Sequence, residues 1–112
     1  MKISELSELG FNCLQDQFKD ADLAGGYTSD LLSDVMANLK EGQALITIQA
    51  HKNTIAVASL SEAAAVIFCH GRVAADDVVE AAVNEGIALF TTPDNQFEAT
   101  VKLANALRIF KF

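Results

Sequence analysis

The chain has 112 residues, of which 51% are hydrophobic and 21% charged, so we expect one domain with a packed core and no extensive disorder. Its net charge of −7 argues against nucleic acid and anionic membrane surfaces as partners, because binding to both depends on Lys and Arg. The first ten residues lack the apolar stretch of a signal peptide, and no apolar run approaches the ~20 residues that span a bilayer. With two cysteines that form no CxxC pair, these features predict a cytoplasmic protein with reduced thiols.

The first half of the chain predicts a short helix, two weak strands and then a clear helix and strand. Ser4 is positioned to cap a helix that ends near Gly10, "FNCLQ" is a weak strand, and "DADLAGGY" is a second strand or an extended segment. Thr28 or Ser29 caps the helix "DLLSDVMANLK", and "QALITIQ" follows as a strand rich in β-branched residues. The predicted buried face of that helix consists of Leu31, Leu32, Val35, Met36 and Leu39.

The second half predicts two further strands, each followed by a helix. Asn53 is the predicted cap of the helix "TIAVASL", which is apolar nearly all round and should be covered on more than one side. The run "AAAVIFC" is typical of a buried parallel strand, and Asp76 or Asp77 begins the next helix. "IALFTT" is the last strand, and Pro93 falls in the first turn of the final helix, "DNQFEATVKLANAL". The third helix should bury Val78, Val79, Ala82 and Val83.

This alternation of strands and helices predicts an α/β fold, a mainly parallel β-sheet covered by helices, in a single compact domain over residues 1–112. Two features predict a homodimer. One is the apolar "TIAVASL" helix, and the other is the tail, in which Ile109, Phe110 and Phe112 need a cover.

Four polar clusters follow the predicted strand ends, at residues 25–30, 49–53, 69–72 and 91–95. Ligands of parallel sheets bind beyond the carboxyl ends of the strands, and helix N-termini there favour anions, so we expect the four clusters to meet at one edge. The alternative is that they serve only as caps and turns. The candidate ligand-binding residues are Asp30, Thr47, Gln49, His51, Asn53, Gly71, Arg72 and Thr92.

Sharper chemistry finds little support in the sequence. His51, Cys69 and His70 have none of the spacings of a metal site, so we predict no metal and no cofactor. Cys69 and His70 are neighbours whose side chains point apart on a strand, so we predict no catalytic residues. Gly71 and Arg72 precede a helix and would offer N–H groups and a guanidinium to an anion, but the GxxxxGK[ST] motif of NTP hydrolysis is absent from the sequence.

The segments "SDLLSDVMANLKEGQALITIQAHKNTIAVASL" and "AAVIFCHGRVAADDVVEAAVNEGIALFTTPDNQFEA" together resemble the DRTGG domain. The resemblance implies a stand-alone DRTGG domain protein, similar in fold to the N-terminal domain of HPr kinase/phosphorylase. It also implies a regulatory or interaction module that commonly self-associates and that lacks the separate kinase domain. Asp30, Thr47 and Gly71 match the family pattern, but Cys69 and His70 stand where members often have a "TGG"-like stretch.

The resulting hypothesis is a non-catalytic, homodimeric regulatory or interaction module. It would sense a small phosphorylated metabolite or nucleotide at the carboxyl edge of the sheet. One alternative is a small enzyme that uses His51 or His70 as acid or base on a phosphorylated or acyl substrate. Another is a purely structural dimerisation domain that serves a protein partner.

Overall fold

The computed structural model describes residues 1–108, in which five strands form one sheet. The strands are β1 (Asn12–Gln15), β2 (Gly25–Thr28), β3 (Gln43–Thr47), β4 (Ala65–Phe68) and β5 (Ala88–Thr91). Their order is β1-β5-β4-β3-β2; β1 is antiparallel to β5, and all other pairs are parallel. The predicted mainly parallel α/β fold is confirmed.

Helices cover both faces of this sheet. They are a 3₁₀ helix (Ile3–Leu9), α1 (Leu32–Asn38), α2 (Lys52–Leu60), α3 (Asp76–Glu85) and α4 (Gln96–Leu107). Helices α1, α2 and α3 pack on the face that includes Leu45, whereas α4 and the 3₁₀ helix pack on the face that includes Ile46. Because successive strand side chains point to opposite faces, each central strand contributes to both cores. All four residues of β4 are buried, as predicted for a strand covered on both sides.

Helix α2 is buried by its own chain. It packs against α1, α3 and β4, and Ile55 and Ala58 are fully buried. The prediction that this apolar helix is covered on more than one side is confirmed. The same packing removes α2 as a reason to expect a dimer, although Leu60 at its end stays 75% exposed. The other reason, the tail with Ile109, Phe110 and Phe112, lies outside the described residues.

Three predicted helix starts are wrong by two or three residues. Helix α1 begins at Leu32 with Leu31 at the N-cap position, so neither Thr28 nor Ser29 caps it. Helix α2 begins at Lys52 with His51 at the N-cap position, so Asn53 lies inside the first turn. Helix α4 is capped by Asn95, whose side chain accepts a 2.8 Å hydrogen bond from the Glu98 N–H, so Pro93 lies in the preceding loop. The Glu98 side chain accepts in return from the Asn95 N–H, and this reciprocal capping box fixes the start better than a proline does.

Ser4 does not cap the first helix either. It lies within the 3₁₀ helix, and its hydroxyl donates to the Asp20 carboxylate at 2.5 Å. Gly10 ends that helix, as predicted, in a left-handed conformation with φ of 89°. Helix α3 begins at Asp76, as predicted. Of its predicted buried face, Val78 and Ala82 are buried, whereas Val79 and Val83 are half-buried.

Helix α1 buries a narrower face than its sequence predicts. Val35 and Leu39 are buried and Leu32 is half-buried, but Leu31 and Met36 are largely exposed. The helix is only seven residues long and begins one position after Leu31, so its two turns cannot turn all five apolar residues inward. Two large apolar side chains of this segment therefore remain at the surface.

Gly26 sets how closely α4 approaches the sheet. A Cβ atom at this position would lie 2.9 Å from Cδ2 of Leu103, which is fully buried in α4. The absence of a side chain on β2 thus lets α4 pack directly on the strand backbone. Among residues 1–108, no helix is long and apolar enough to cross a membrane.

Candidate functional site

The four polar clusters meet at the carboxyl edge of the sheet, as expected from the parallel strands. Backbone hydrogen bonds join residues 69–72 to residues 91–95: the His70 N–H donates to the Asp94 carbonyl at 2.7 Å, and the Gly71 N–H donates to the Thr92 carbonyl at 3.0 Å. The end of β2 is likewise tied to β3, because the Ser29 N–H donates to the Ile46 carbonyl. This edge is the candidate site.

Asp30 is the hub of a hydrogen-bond network beneath the edge. Its Oδ1 accepts from the Thr47 hydroxyl at 2.8 Å, from the Ile48 N–H at 2.8 Å and from Nε2 of Gln96 at 3.0 Å. Thr47 is completely buried, and its hydroxyl also accepts from the Gln49 N–H at 3.1 Å. Buried polar groups need such partners, so Thr47 and one oxygen of Asp30 hold three loops together and are not free for a ligand.

The loop at residues 69–72 is closed to anions along its backbone. His70 and Gly71 both adopt left-handed conformations, with φ of 63° and 66°. The N–H groups of His70, Gly71 and Arg72 all donate to backbone carbonyls. The prediction that Gly71 and Arg72 would offer N–H groups to an anion is therefore wrong. Of the groups predicted there, only the Arg72 guanidinium is left to bind an anion. Thr92 is buried, and its hydroxyl accepts from the Asp94 N–H at 3.2 Å.

Two clefts lie on either side of residues 71–73. The first, here the polar cleft, has a volume of about 370 Å³ and is lined by Ile48, Gln49, Ala50, His51, Arg72 and Val73. The second, here the apolar cleft, has a volume of about 420 Å³; its lining includes Leu14, Gly71, Arg72, Val73, Ala74, Thr92 and Pro93. Arg72 and Val73 thus form a ridge shared by both clefts.

Helix α2 points its N-terminus at the polar cleft. No side chain caps it, and its first turn carries no acidic residue. The first turns of α1, α3 and α4 each carry an acid: Asp34, Asp76 with Asp77, and Glu98. Because an acid in the first turn competes with an external anion for the helix dipole, α2 is the described α-helix whose N-terminus best accommodates one. His51, at the N-cap, and Lys52, the first residue of α2, are both exposed there.

Cys69 and His70 do not form a reactive pair. Cys69 is completely buried, and burial, with the Asp94 and Asp30 carboxylates, raises the pKa of its thiol to about 11. The thiol is therefore protonated at neutral pH, whereas His70 is exposed on the loop. Within residues 1–108, no group of three or more His, Cys, Asp or Glu side chains could hold a metal ion.

The eight candidate residues separate into three sets. Asp30 and Thr47 belong to the buried network; Gln49, His51 and Arg72 line the polar cleft, with Asn53 in the adjoining helical turn; and Gly71, Arg72 and Thr92 line the apolar cleft. The sequence reasoning missed two residues that hold the edge together. Gln96 bonds Asp30, and Asp94 accepts from Nζ of Lys102 at 2.6 Å. Asp94 lies in the fourth strand-end cluster and Gln96 directly follows it, so that cluster was the signal that could have found them.

No protein-family model matches the sequence, and no curated protein matches it. Among solved structures, the chain is similar to the CBS and DRTGG domains of the regulatory region of Clostridium perfringens pyrophosphatase, in complex with the activator diadenosine tetraphosphate. The TM-score is 0.72 at 15% sequence identity, and the match covers 90% of this chain and 45% of that one. The chain thus spans less than half the length of its structural neighbour. The likeness lies in the fold, and it supports the DRTGG-like domain that the sequence resemblance implied.

Proposed function

We propose that this domain is a non-catalytic regulatory module that binds a small phosphorylated metabolite or nucleotide in the polar cleft. The observation that carries the proposal is the convergence of the Arg72 and His51 positions with the uncapped N-terminus of α2 around one cleft. The cleft volume of about 370 Å³ is within the range of small-molecule sites.

Local charge is what makes an anionic ligand fit this acidic chain. The net charge of −7 repels anions at long range, so attraction must come from groups in the cleft itself. A guanidinium presents a planar fork of donors that suits phosphate, and the free N–H groups of a helical first turn add further donors. Asp76 and Asp77 lie at the start of α3, so we place the phosphate on the α2 side of Arg72.

The structural neighbour supports the kind of role. It is a regulatory region, and its complex contains a nucleotide activator. Because this chain matches only 45% of that chain, the neighbour supports a nucleotide-responsive regulatory module as a class, and the location of the ligand rests on the cleft described above. Acid–base catalysis has weaker support, since among the described residues no hydrogen bond orients the imidazole of His51 or His70.

The test is a thermal-shift screen followed by isothermal titration calorimetry with inorganic phosphate, ATP, ADP and diadenosine tetraphosphate. A ligand that binds the folded state raises Tm, and the rise grows with the logarithm of the ligand concentration relative to Kd. Arg72→Ala and His51→Ala should each weaken binding by about tenfold or more, since a charged hydrogen bond contributes roughly 1.5–3 kcal/mol. Arg108→Ala, at the far end of α4, is the matched control and should bind like the unmodified protein.

Two results would contradict the proposal. One is the absence of any shift in Tm across the panel. The other is unchanged affinity in Arg72→Ala, which would place the ligand elsewhere. We also propose that the module acts as a homodimer in the cytoplasm. Since α2 is covered by its own chain, the dimer now needs a different surface.

A further inference from the structure

The apolar cleft has no part in the phosphate site proposed above, yet it adjoins that site. The polar cleft is formed by the loops after β3 and β4, and the apolar cleft by the loop after β4 together with β5 and β1. Both clefts open on the same side of the sheet. Helix α2 begins at the polar cleft, α3 begins two residues after Ala74 of the apolar cleft, and both helices pack on the face that includes Leu45. The ridge of Arg72 and Val73 is what separates the two clefts.

The two clefts together have the size of one site for a longer ligand. Their volumes of about 370 and 420 Å³ are each in the lower part of the ~300–1,000 Å³ range of small-molecule sites. Because neighbouring strands lie ~4.8 Å apart, a cleft between the ends of β3 and β4 and a cleft at the end of β5 are roughly 7–10 Å apart. The base and the last phosphate of an extended nucleoside diphosphate are separated by about the same distance. The pair of clefts thus suits a ligand with two chemically different ends.

The walls of the apolar cleft suit a flat, uncharged group. Leu14, Val73 and Pro93 contribute aliphatic surface to it. Val73, at 85% exposed, is the most exposed large apolar side chain among residues 1–108, and a ligand that lies over the ridge would remove this surface from water. Asp76 and Asp77 begin the helix beside this cleft, so their charges disfavour a phosphate there and leave a neutral group unaffected.

Asn12 gives the apolar cleft a polar group that can recognise a base. It begins β1, is exposed, and lies opposite Thr91 of β5. Thr91 is two residues after Leu89, which faces α1, α2 and α3, and opposite residues of a strand pair share a face, so Asn12 is on the side where the cleft opens. An amide has a donor and an acceptor side by side, and asparagine pairs with adenine in this bidentate way. An aliphatic group would instead cover the amide without giving it a partner, which costs free energy.

We propose that the apolar cleft is the base subsite of a nucleotide site, and that the ligand of this domain is an adenine nucleoside diphosphate or triphosphate. The inference rests on the proposed function, which places the phosphates at Arg72 and the N-terminus of α2. The ribose would lie over Val73, and the base would lie against Pro93 with its edge at Asn12. A sugar phosphate or an acyl phosphate would fill the polar cleft and leave the second cleft empty, so the two clefts together favour a nucleotide.

Isothermal titration calorimetry with ADP and with inorganic pyrophosphate tests the base subsite, because the two ligands share the diphosphate and differ in the nucleoside. ADP should bind at least about tenfold more tightly than pyrophosphate. Asn12→Ala should weaken ADP binding about tenfold, since it removes two hydrogen bonds, and should leave pyrophosphate binding unchanged. Asn105→Ala, at an exposed asparagine near the far end of α4, is the matched control and should bind both ligands like the unmodified protein. Circular dichroism should show that both variants are folded, since both side chains are exposed.

NMR spectroscopy of the unmodified protein gives a second readout that needs no substitution. Both ligands should shift the backbone amide signals of His51 and Lys52, at the start of α2. ADP alone should also shift those of Asn12 and Leu14, which line the apolar cleft on β1.

The contrary results separate this inference from the proposed function. Equal affinity for ADP and pyrophosphate, with signal shifts at the polar cleft alone, would overturn the base subsite and leave the phosphate site standing. Tighter binding of ADP that Asn12→Ala does not weaken, without shifts on β1, would place the base elsewhere and also overturn it. If neither ligand binds, the phosphate site and the base subsite both fail.

Discussion

Substituting Asp30 by alanine should destabilise the domain strongly, although the residue resembles a ligand-binding carboxylate in the sequence. The substitution removes the acceptor for three hydrogen bonds, from Thr47, Ile48 and Gln96. Thr47 is completely buried, so its hydroxyl would lose its acceptor where water does not enter. The three bonds also connect β3, the loop after β2 and the start of α4, so their loss would loosen the whole carboxyl edge.

The expected cost follows from these contacts. A buried donor left without an acceptor costs about 1–3 kcal/mol, and hydrogen bonds to a charged acceptor contribute at the upper end of that range. Asp30 itself is half-buried, so water replaces part of what the Ile48 and Gln96 donors lose. We therefore expect Asp30→Ala to lower the free energy of unfolding by about 3 kcal/mol. For a domain of this size the fall in Tm should be roughly 10–20 °C.

Urea denaturation followed by circular dichroism measures this loss. Asp30→Asn is the informative comparison, because its amide oxygen keeps an acceptor in the same place; it should cost only about 1 kcal/mol. Asp22→Ala removes an exposed partner of Lys2 and should change little. The reasoning fails if Asp30→Ala unfolds within about 0.5 kcal/mol of the unmodified protein, or if Asp30→Asn is as unstable as Asp30→Ala.

Three further outcomes follow from local geometry. His70→Gly should raise the free energy of unfolding by about 1 kcal/mol, because φ of 63° is strained for a residue with a side chain; an unchanged urea midpoint would contradict this. Ellman's reagent should label Cys13 in the native protein but Cys69 only after unfolding, since Cys69 is buried and its pKa is about 11; two fast thiols would refute it. Hydrogen bonds from the Ser4 hydroxyl and N–H lower the pKa of Asp20 in the folded protein. The ionised Asp20 carboxylate therefore stabilises the fold above the unfolded pKa of about 3.9, and this stabilisation is lost as pH falls through the folded pKa. NMR titration should show that the pKa of Asp20 is higher in Ser4→Ala than in the unmodified protein.

The fold was largely predictable because its signals are local and repeated. The apolar run that forms β4 and the β-branched run that forms β3 each identify a strand without knowledge of the rest of the chain. Helix starts were less predictable, because several neighbouring residues can each occupy the N-cap position and the sequence does not show which of them does. Asn53 is a good capping residue by type, yet the chain turns into α2 before reaching it, at His51.

The candidate site was predictable in its location and not in its contacts. Parallel topology places the strand ends at one edge, so the neighbourhood of Arg72 and Gln49 followed from the pattern alone. The hydrogen-bond partner of each group could not be predicted from this pattern, because the partners lie far away in the sequence. The Gly71 N–H donates to the Thr92 carbonyl, and Gln96 donates to Asp30. Neither hydrogen bond produces a recognisable spacing in the sequence. The exposure of Met36 was not predicted either, because the periodicity of apolar residues does not show how short α1 is.

The antiparallel pairing of β1 with β5 has a consequence for how the protein is made. Strands β2 to β5 join their neighbours in chain order, so each can add to the sheet as it leaves the ribosome. Strand β1 is made before all of them, yet it pairs with β5, which is made last; Asn12, for example, lies opposite Thr91. During synthesis, Leu14 and Phe11 therefore stay exposed until β5 has been made and β1 can pair with it. The slowest native contact to form should be this one, because it closes the longest loop in the sheet.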